Sequence, residues 1–210
     1  MWKEEIEFVK DTLIKNNGND SPRSDETFRK RNEHCVRVLN WSRRIVASLS
    51  EEKKNKLDIE ALELASIFHD VGYGVETFKN SHGIEGSEIF KQYALEHNFD
   101  KNLIDKVVHM IYVHQDKTLL ESNISEELTI LMEADMMDEE GSLAICWDLL
   151  TLGRHDIETF KEALDKIESY SAHILTYNPM KHEYAIKEWE KKQNLIKEFI
   201  YSMKHDLFLD

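Results

Sequence analysis

Ala61-Leu62-Glu63-Leu64-Ala65-Ser66-Ile67-Phe68-His69-Asp70-Val71-Gly72-Tyr73-Gly74 is the stretch on which the reading of this chain turns. Its first eight residues are apolar around nearly the whole helical circumference, which predicts a central helix without a solvent face. Gly72 and Gly74 stop that helix and let the backbone turn sharply. A histidine and a carboxylate side by side at the end of a buried helix are costly to desolvate unless something binds them. A divalent cation meets that need. His34 lies upstream on a second predicted helix and Asp135 downstream on a third, giving the order His … His-Asp … Asp.

The flanking sequence predicts helices throughout. Trp2, Ile6, Val9 and Leu13 recur at helical spacing over about 2–15, and 16–22 is a loop. Asp25 is placed to cap a long helix on which His34, Val38, Trp41 and Ile45 share the inward face. A charged link over 50–56 leads to Asp58, the expected cap of the central helix. Further helices are expected from Ser81 or His82 to Glu96, from Asp100 to His114, and from Ser125 through Asp135. Others follow over 142–152, 157–175 and 181–203, with a polar loop over 115–123. No segment alternates with period two. The expectation is an all-α bundle of about eight or nine helices forming one domain over 1–210. Its core covers about 25–152, and an N-terminal helix and two C-terminal helices complete it.

Composition narrows the partners. Apolar residues at 41% suffice for a sizeable core, while seven Gly and two Pro argue against long loops. A net charge of −14 repels nucleic-acid polymers and acidic membranes. No apolar run approaches the roughly 18 residues a membrane span needs. Cys35 and Cys146 fall inside predicted helices, which reads as two buried free thiols in a reducing, cytoplasmic setting. Apolar faces on the terminal helices suit either a homodimer or the core.

From about His34 to Trp147 the chain resembles the HD-domain superfamily of metal-dependent phosphohydrolases, on the order His34 … His69-Asp70 … Asp135. His82, which opens His82-Gly83-Ile84-Glu85-Gly86, and His114, which closes Val107-Val108-His109-Met110-Ile111-Tyr112-Val113-His114, match the two histidines that two-metal members insert. Glu133-Ala134-Asp135-Met136-Met137-Asp138 looks like a branch whose last aspartate is followed three residues later by another, some members of which hydrolyse nucleoside triphosphates. The six-ligand order is also similar to that of hydrolases cleaving dinucleoside polyphosphates. Two departures stand out. Met136-Met137 occupies the place where many relatives carry a basic residue, and Tyr73 replaces a lysine common in some branches.

The resemblance implies an HD-domain bundle holding one or two divalent transition ions (Mn, Fe, Ni, Co or Zn), which suit mixed imidazole and carboxylate donors. His34, His69, Asp70 and Asp135 would take the first ion. His82 and His114 would take the second, with Asp70 bridging. Hydrolysis of a phosphoester or phosphoanhydride in a small phosphorylated metabolite, a nucleotide by preference, would follow from metal-activated water. Asp70, His82, His114 and Asp138 are the expected catalytic set. Arg31, Lys79 and Tyr73 are the expected substrate contacts. His109 lies five residues from His114, about 140° around a helix, and so faces elsewhere. Glu133 is expected to face away from the site. The competing readings are a diiron oxygenase on the same scaffold and a metabolite-binding module without turnover.

Overall fold

The computed structural model describes residues 2–17, 30–75, 81–152 and 159–209. Among them there is no strand, and nine helices have seven residues or more. The helices are α1 (Lys3–Asn17), α2 (Arg31–Ser48), the single turn α3 (Glu51–Lys54), α4 (Ile59–Phe68), α5 (His82–Glu96), α6 (Lys101–Val113), α7 (Glu126–Glu139), α8 (Ser142–Leu152), α9 (Phe160–Ser169) and α10 (Glu183–Asp206). The chain divides into two compact units, Met1–Ala134 and Asp135–Asp210, with the boundary inside α7. No described helix is long and apolar enough to cross a membrane.

In the first unit α4 is the hub, packed against α1, α2 and α6, while α5 packs on α6. Every residue from Ala61 to Phe68 is buried, as the apolar circumference requires. Phe68 meets Phe90 edge-on, with ring centroids 5.0 Å apart. The polar members of α4 are each satisfied. Ser66 Oγ donates to the Leu62 carbonyl at 2.8 Å and lies 2.9 Å from Ser42 Oγ. Glu63 accepts from Arg43 Nε at 2.7 Å and Nη2 at 3.0 Å, and from Trp2 Nε1 at 2.5 Å. A buried carboxylate with three donors avoids the penalty of an unpaired one.

Caps fix where the helices begin. Asp58 accepts from Ala61 N, Ser81 from Ile84 N, Asp100 from Asn102 N and Leu103 N, and Ser125 from Leu128 N. Three expectations shift. The helix carrying His34 starts at Arg31, because Lys30 adopts a left-handed φ of 44° just before it. Asp25, its expected cap, lies outside the described residues. The 50–56 link contains the turn α3, capped by Ser50, and a 3-10 turn at Lys117–Glu121 tightens the 115–123 loop.

In the second unit α8, α9 and α10 pack on one another around Trp189, Leu164 and Ile167. The Trp189 indole donates to the Tyr177 carbonyl at 2.9 Å. The helix expected over 157–175 stops at Ser169 and continues as a 3-10 turn, Ser171–Thr176. The buried Asp148 carboxylate accounts for the break. It accepts from both Ser171 N (3.1 Å) and Ser171 Oγ (2.5 Å), which draws that residue out of helical register.

The thiols also differ from expectation. Cys35 is buried, but Cys146 is exposed on α8. A thiol-reactive chromogenic disulfide should therefore titrate one sulfur per native chain quickly, and two in denaturant. Two fast thiols in the native protein would contradict the burial of Cys35.

Candidate metal centre

Four imidazoles of the first unit converge on one carboxylate, and each comes from the end of a helix. His34 stands in the first turn of α2 and His82 opens α5 behind the Ser81 cap. His69 and His114 are the residues that terminate α4 and α6. In both, Nδ1 reaches back to the carbonyl three residues earlier: Ser66 O at 2.9 Å for His69 and Ile111 O at 2.6 Å for His114. Those carbonyls belong to the last turn of a helix, where the backbone lacks its own partners. A carbonyl can only accept, so each Nδ1 carries a proton and turns the Nε2 inward toward the carboxylate.

The carboxylate is Asp70. Its Oδ2 lies 3.4 Å from His34 Nε2 and 3.6 Å from His69 Nε2. Its Oδ1 lies 3.4 Å from His82 Nε2 and 3.5 Å from His114 Nε2. Within each pair the two Nε2 atoms approach to 3.1 Å (His34 and His69) and 3.3 Å (His82 and His114). The arrangement is thus doubled, with two imidazole nitrogens on each oxygen of a single carboxylate. Lone pairs facing one another at such distances repel unless a proton or a cation lies between them. His34, His69 and Asp70, and separately Asp70, His82 and His114, are groups able to hold a metal ion. The donor chemistry fits a borderline transition ion better than Ca²⁺ or Mg²⁺.

Burial sets the charge states. Asp70, His34, His69 and His114 are all nearly inaccessible to solvent. Burial acts to raise the Asp70 carboxyl. The His69 and Arg31 charges, the His114 contact and the His34 charge outweigh it and hold Asp70 well below the usual carboxylate range. Burial pushes the His82 imidazole down to about 4 against the pull of Asp70, which leaves it neutral and free to donate a lone pair at pH 7.

The turn after Asp70 keeps α5 close. Tyr73 N donates to Asp70 O at 3.1 Å. A Cβ on Gly72 would fall 2.2 Å from the His82 carbonyl oxygen and 2.4 Å from Gly86 N, so only glycine lets the first turn of α5 seat there. Gly74 follows with a left-handed φ of 85°.

Of the expected substrate contacts, Arg31 is buried and its Nη1 donates to Asp70 Oδ2 at 2.7 Å. Its guanidinium carbon stands 4.0 Å from the Tyr73 ring centroid, and Tyr73 stacks on His82 with centroids 4.2 Å apart. Lys79 lies outside the described residues. Asp135 and Asp138 are both buried on α7, in the second unit. His109 is exposed, as its spacing requires. Glu133 is fully buried, as are its chain neighbours Leu131, Met132 and Ala134. Reading Arg31 only as a substrate contact missed its ion pair with Asp70. Their separation of 39 residues leaves no local trace of it.

A family model described as the HD domain matches residues 31–140, more than half of the chain. Solved structures agree on the fold. A predicted HD superfamily hydrolase from an uncultured Thermotogales bacterium is 19% identical with a TM-score of 0.62, covering 98% of this chain and 92% of that one. An HD-superfamily hydrolase from Bacillus thuringiensis is 16% identical with a TM-score of 0.67, covering 100% of both chains. Bacillus subtilis YpgQ, solved in complex with ADP, is 17% identical with a TM-score of 0.62, covering 97% of this chain and 93% of that one. No protein of curated function matches the chain in sequence. On the family match, which spans His34, the His69-Asp70 pair, His82, His114 and Asp135, this chain belongs to the HD domain family.

Proposed function

We propose that the chain is a metal-dependent phosphohydrolase acting on a small phosphorylated metabolite, a nucleotide by preference. The observation that carries this reading is the doubled seat around Asp70, with two imidazole nitrogens on each carboxylate oxygen. His34, His69 and Asp70 form the first position, and His82, His114 and Asp70 the second. Asp135 joins the first position on its place in the residue order and its burial. A bound divalent ion supplies a nucleophile by lowering the pKa of water toward about 7, and it polarises a phosphoryl oxygen.

The chain's own residues do the rest. Asp70 spans both positions and sets their separation. The backbone bonds of His69 and His114 keep their donor nitrogens inward. Arg31 and Lys79 are assigned to substrate phosphate, Tyr73 to the substrate body, and Asp138 to proton transfer. The ADP held by Bacillus subtilis YpgQ supports a nucleotide as the substrate class. The charge of −14 disfavours polymers and favours small substrates whose anionic groups meet bound cations. Two unbridged cysteines suit a reducing, cytoplasmic setting.

The test joins elemental analysis of freshly purified protein to an anaerobic panel of phosphomonoesters and nucleotides under Mn²⁺, Co²⁺ and Ni²⁺. Release of phosphate or pyrophosphate, lost on chelation, is the expected result. Oxygen consumption by an iron-loaded protein with no anaerobic hydrolysis would instead identify an oxygenase. Tight nucleotide binding without turnover would identify a binding module.

A further inference from the structure

The geometry points to Arg31 as a positioning residue that competes with the cation for Asp70 Oδ2, so that filling the first position releases its guanidinium. This inference rests on the proposed metal seat and concerns how that seat is filled.

Three observations carry it. First, Arg31 Nη1 donates to Oδ2 at 2.7 Å, on the same oxygen that faces His34 and His69 at 3.4 and 3.6 Å. The hydrogen bond from Arg31 thus falls on the oxygen of the first histidine pair, while Oδ1 faces the other pair. The guanidinium is therefore bound at one seat and not shared by both. Second, the pair is buried, with side chains 9% and 4% exposed. Water screens little there, so a guanidinium and a dication drawn to one oxygen repel strongly. Third, Arg31 begins α2 directly after the left-handed Lys30, and its side chain lies against the Tyr73 ring at 4.0 Å. The aromatic face gives the cation a second resting place when it leaves the carboxylate. His34 is three residues further along the same helix, so the ligand and its competitor are carried by one rigid turn.

Without metal, the guanidinium neutralises Asp70. With metal, the same positive charge is surplus. A released guanidinium resting on Tyr73 is then placed to meet an anionic group. The order of events that follows is cation first, phosphate second.

Calorimetric titration of metal-stripped protein with Mn²⁺ alone tests this. Arg31→Met should bind roughly tenfold more tightly than the wild type, the equivalent of about 1.4 kcal/mol. Arg31→Lys, which keeps the charge, should stay close to the wild type. Equal or weaker binding by Arg31→Met overturns the competition and makes Arg31 a support of the loaded site instead. Should neither wild type nor variant take up Mn²⁺, the metal seat itself falls, and this inference with it. A second measurement reads the wild type's own guanidinium and does not depend on the affinity of a variant. The Nη protons of Arg31, assigned by comparison with Arg31→Lys, should rotate slowly in the metal-free protein and average on saturation with Zn²⁺. Slow rotation that persists at saturation overturns the release.

Discussion

Asp70→Ala should purify with its helical circular-dichroism signal intact, hold no transition ion at either position, and lose turnover by roughly 10³-fold or more. The double loss follows from the geometry, because a single carboxylate supplies one oxygen to His34 and His69 and the other to His82 and His114. Two imidazoles alone at the second position, and two imidazoles with only Asp135 at the first, make weak seats, and an ion worth several kcal/mol of transition-state stabilisation is then not retained. The variant also leaves Arg31 buried without its carboxylate partner. Breaking a buried ion pair from one side costs about 3–5 kcal/mol. A loss of about 3 kcal/mol would lower the thermal midpoint of a chain this size by roughly 6–12 °C. His82→Ala is the contrasting case. It should empty the second position and leave the first filled, since His34 and His69 keep Oδ2. Elemental analysis of the three proteins side by side checks both statements. Full metal content in Asp70→Ala would refute the doubled seat.

Local chemistry made most of the fold legible. The buried run from Ala61 to Phe68 was bound to be central, and Asp58, Ser81, Asp100 and Ser125 cap the helices they precede. Each of those signals acts within four residues. The departures arise where a distant group intervenes. Asp148 captures Ser171 and ends a helix whose periodicity would have carried it to residue 175. Cys146 is exposed because α8 turns that edge to solvent. At the site, the residue order was enough to gather His34, His69, Asp70, His82 and His114. It could not reveal that Asp70 faces one histidine pair with each oxygen, nor that Arg31 already holds one of those oxygens. Such facts depend on side-chain directions set by packing.

Gly72→Ala should be the most damaging methyl addition among the described glycines. The new Cβ would lie 2.2 Å from His82 O and 2.4 Å from Gly86 N, both backbone atoms in the first turns of α5. A flexible side chain could swing aside, but a helix backbone must move as a body. Strain of this kind belongs with the exceptional core substitutions, at about 4–5 kcal/mol or more, which corresponds to a fall in thermal midpoint of roughly 8–20 °C. The displacement has a direction. Lifting the start of α5 carries His82 away from Asp70 Oδ1, while His34 and His69 sit on α2 and at the end of α4, outside the moved element. Where the wild type loads both proposed positions, folded Gly72→Ala at low temperature should therefore keep about one ion per chain. Gly74→Ala separates crowding from backbone conformation. Gly74 is exposed, with a φ of 85°, so alanine there should cost only the left-handed penalty of about 1–2 kcal/mol and leave metal content unchanged. Equal damage from the two substitutions would mean that turn conformation, and not the close approach of α5, holds His82 against Asp70.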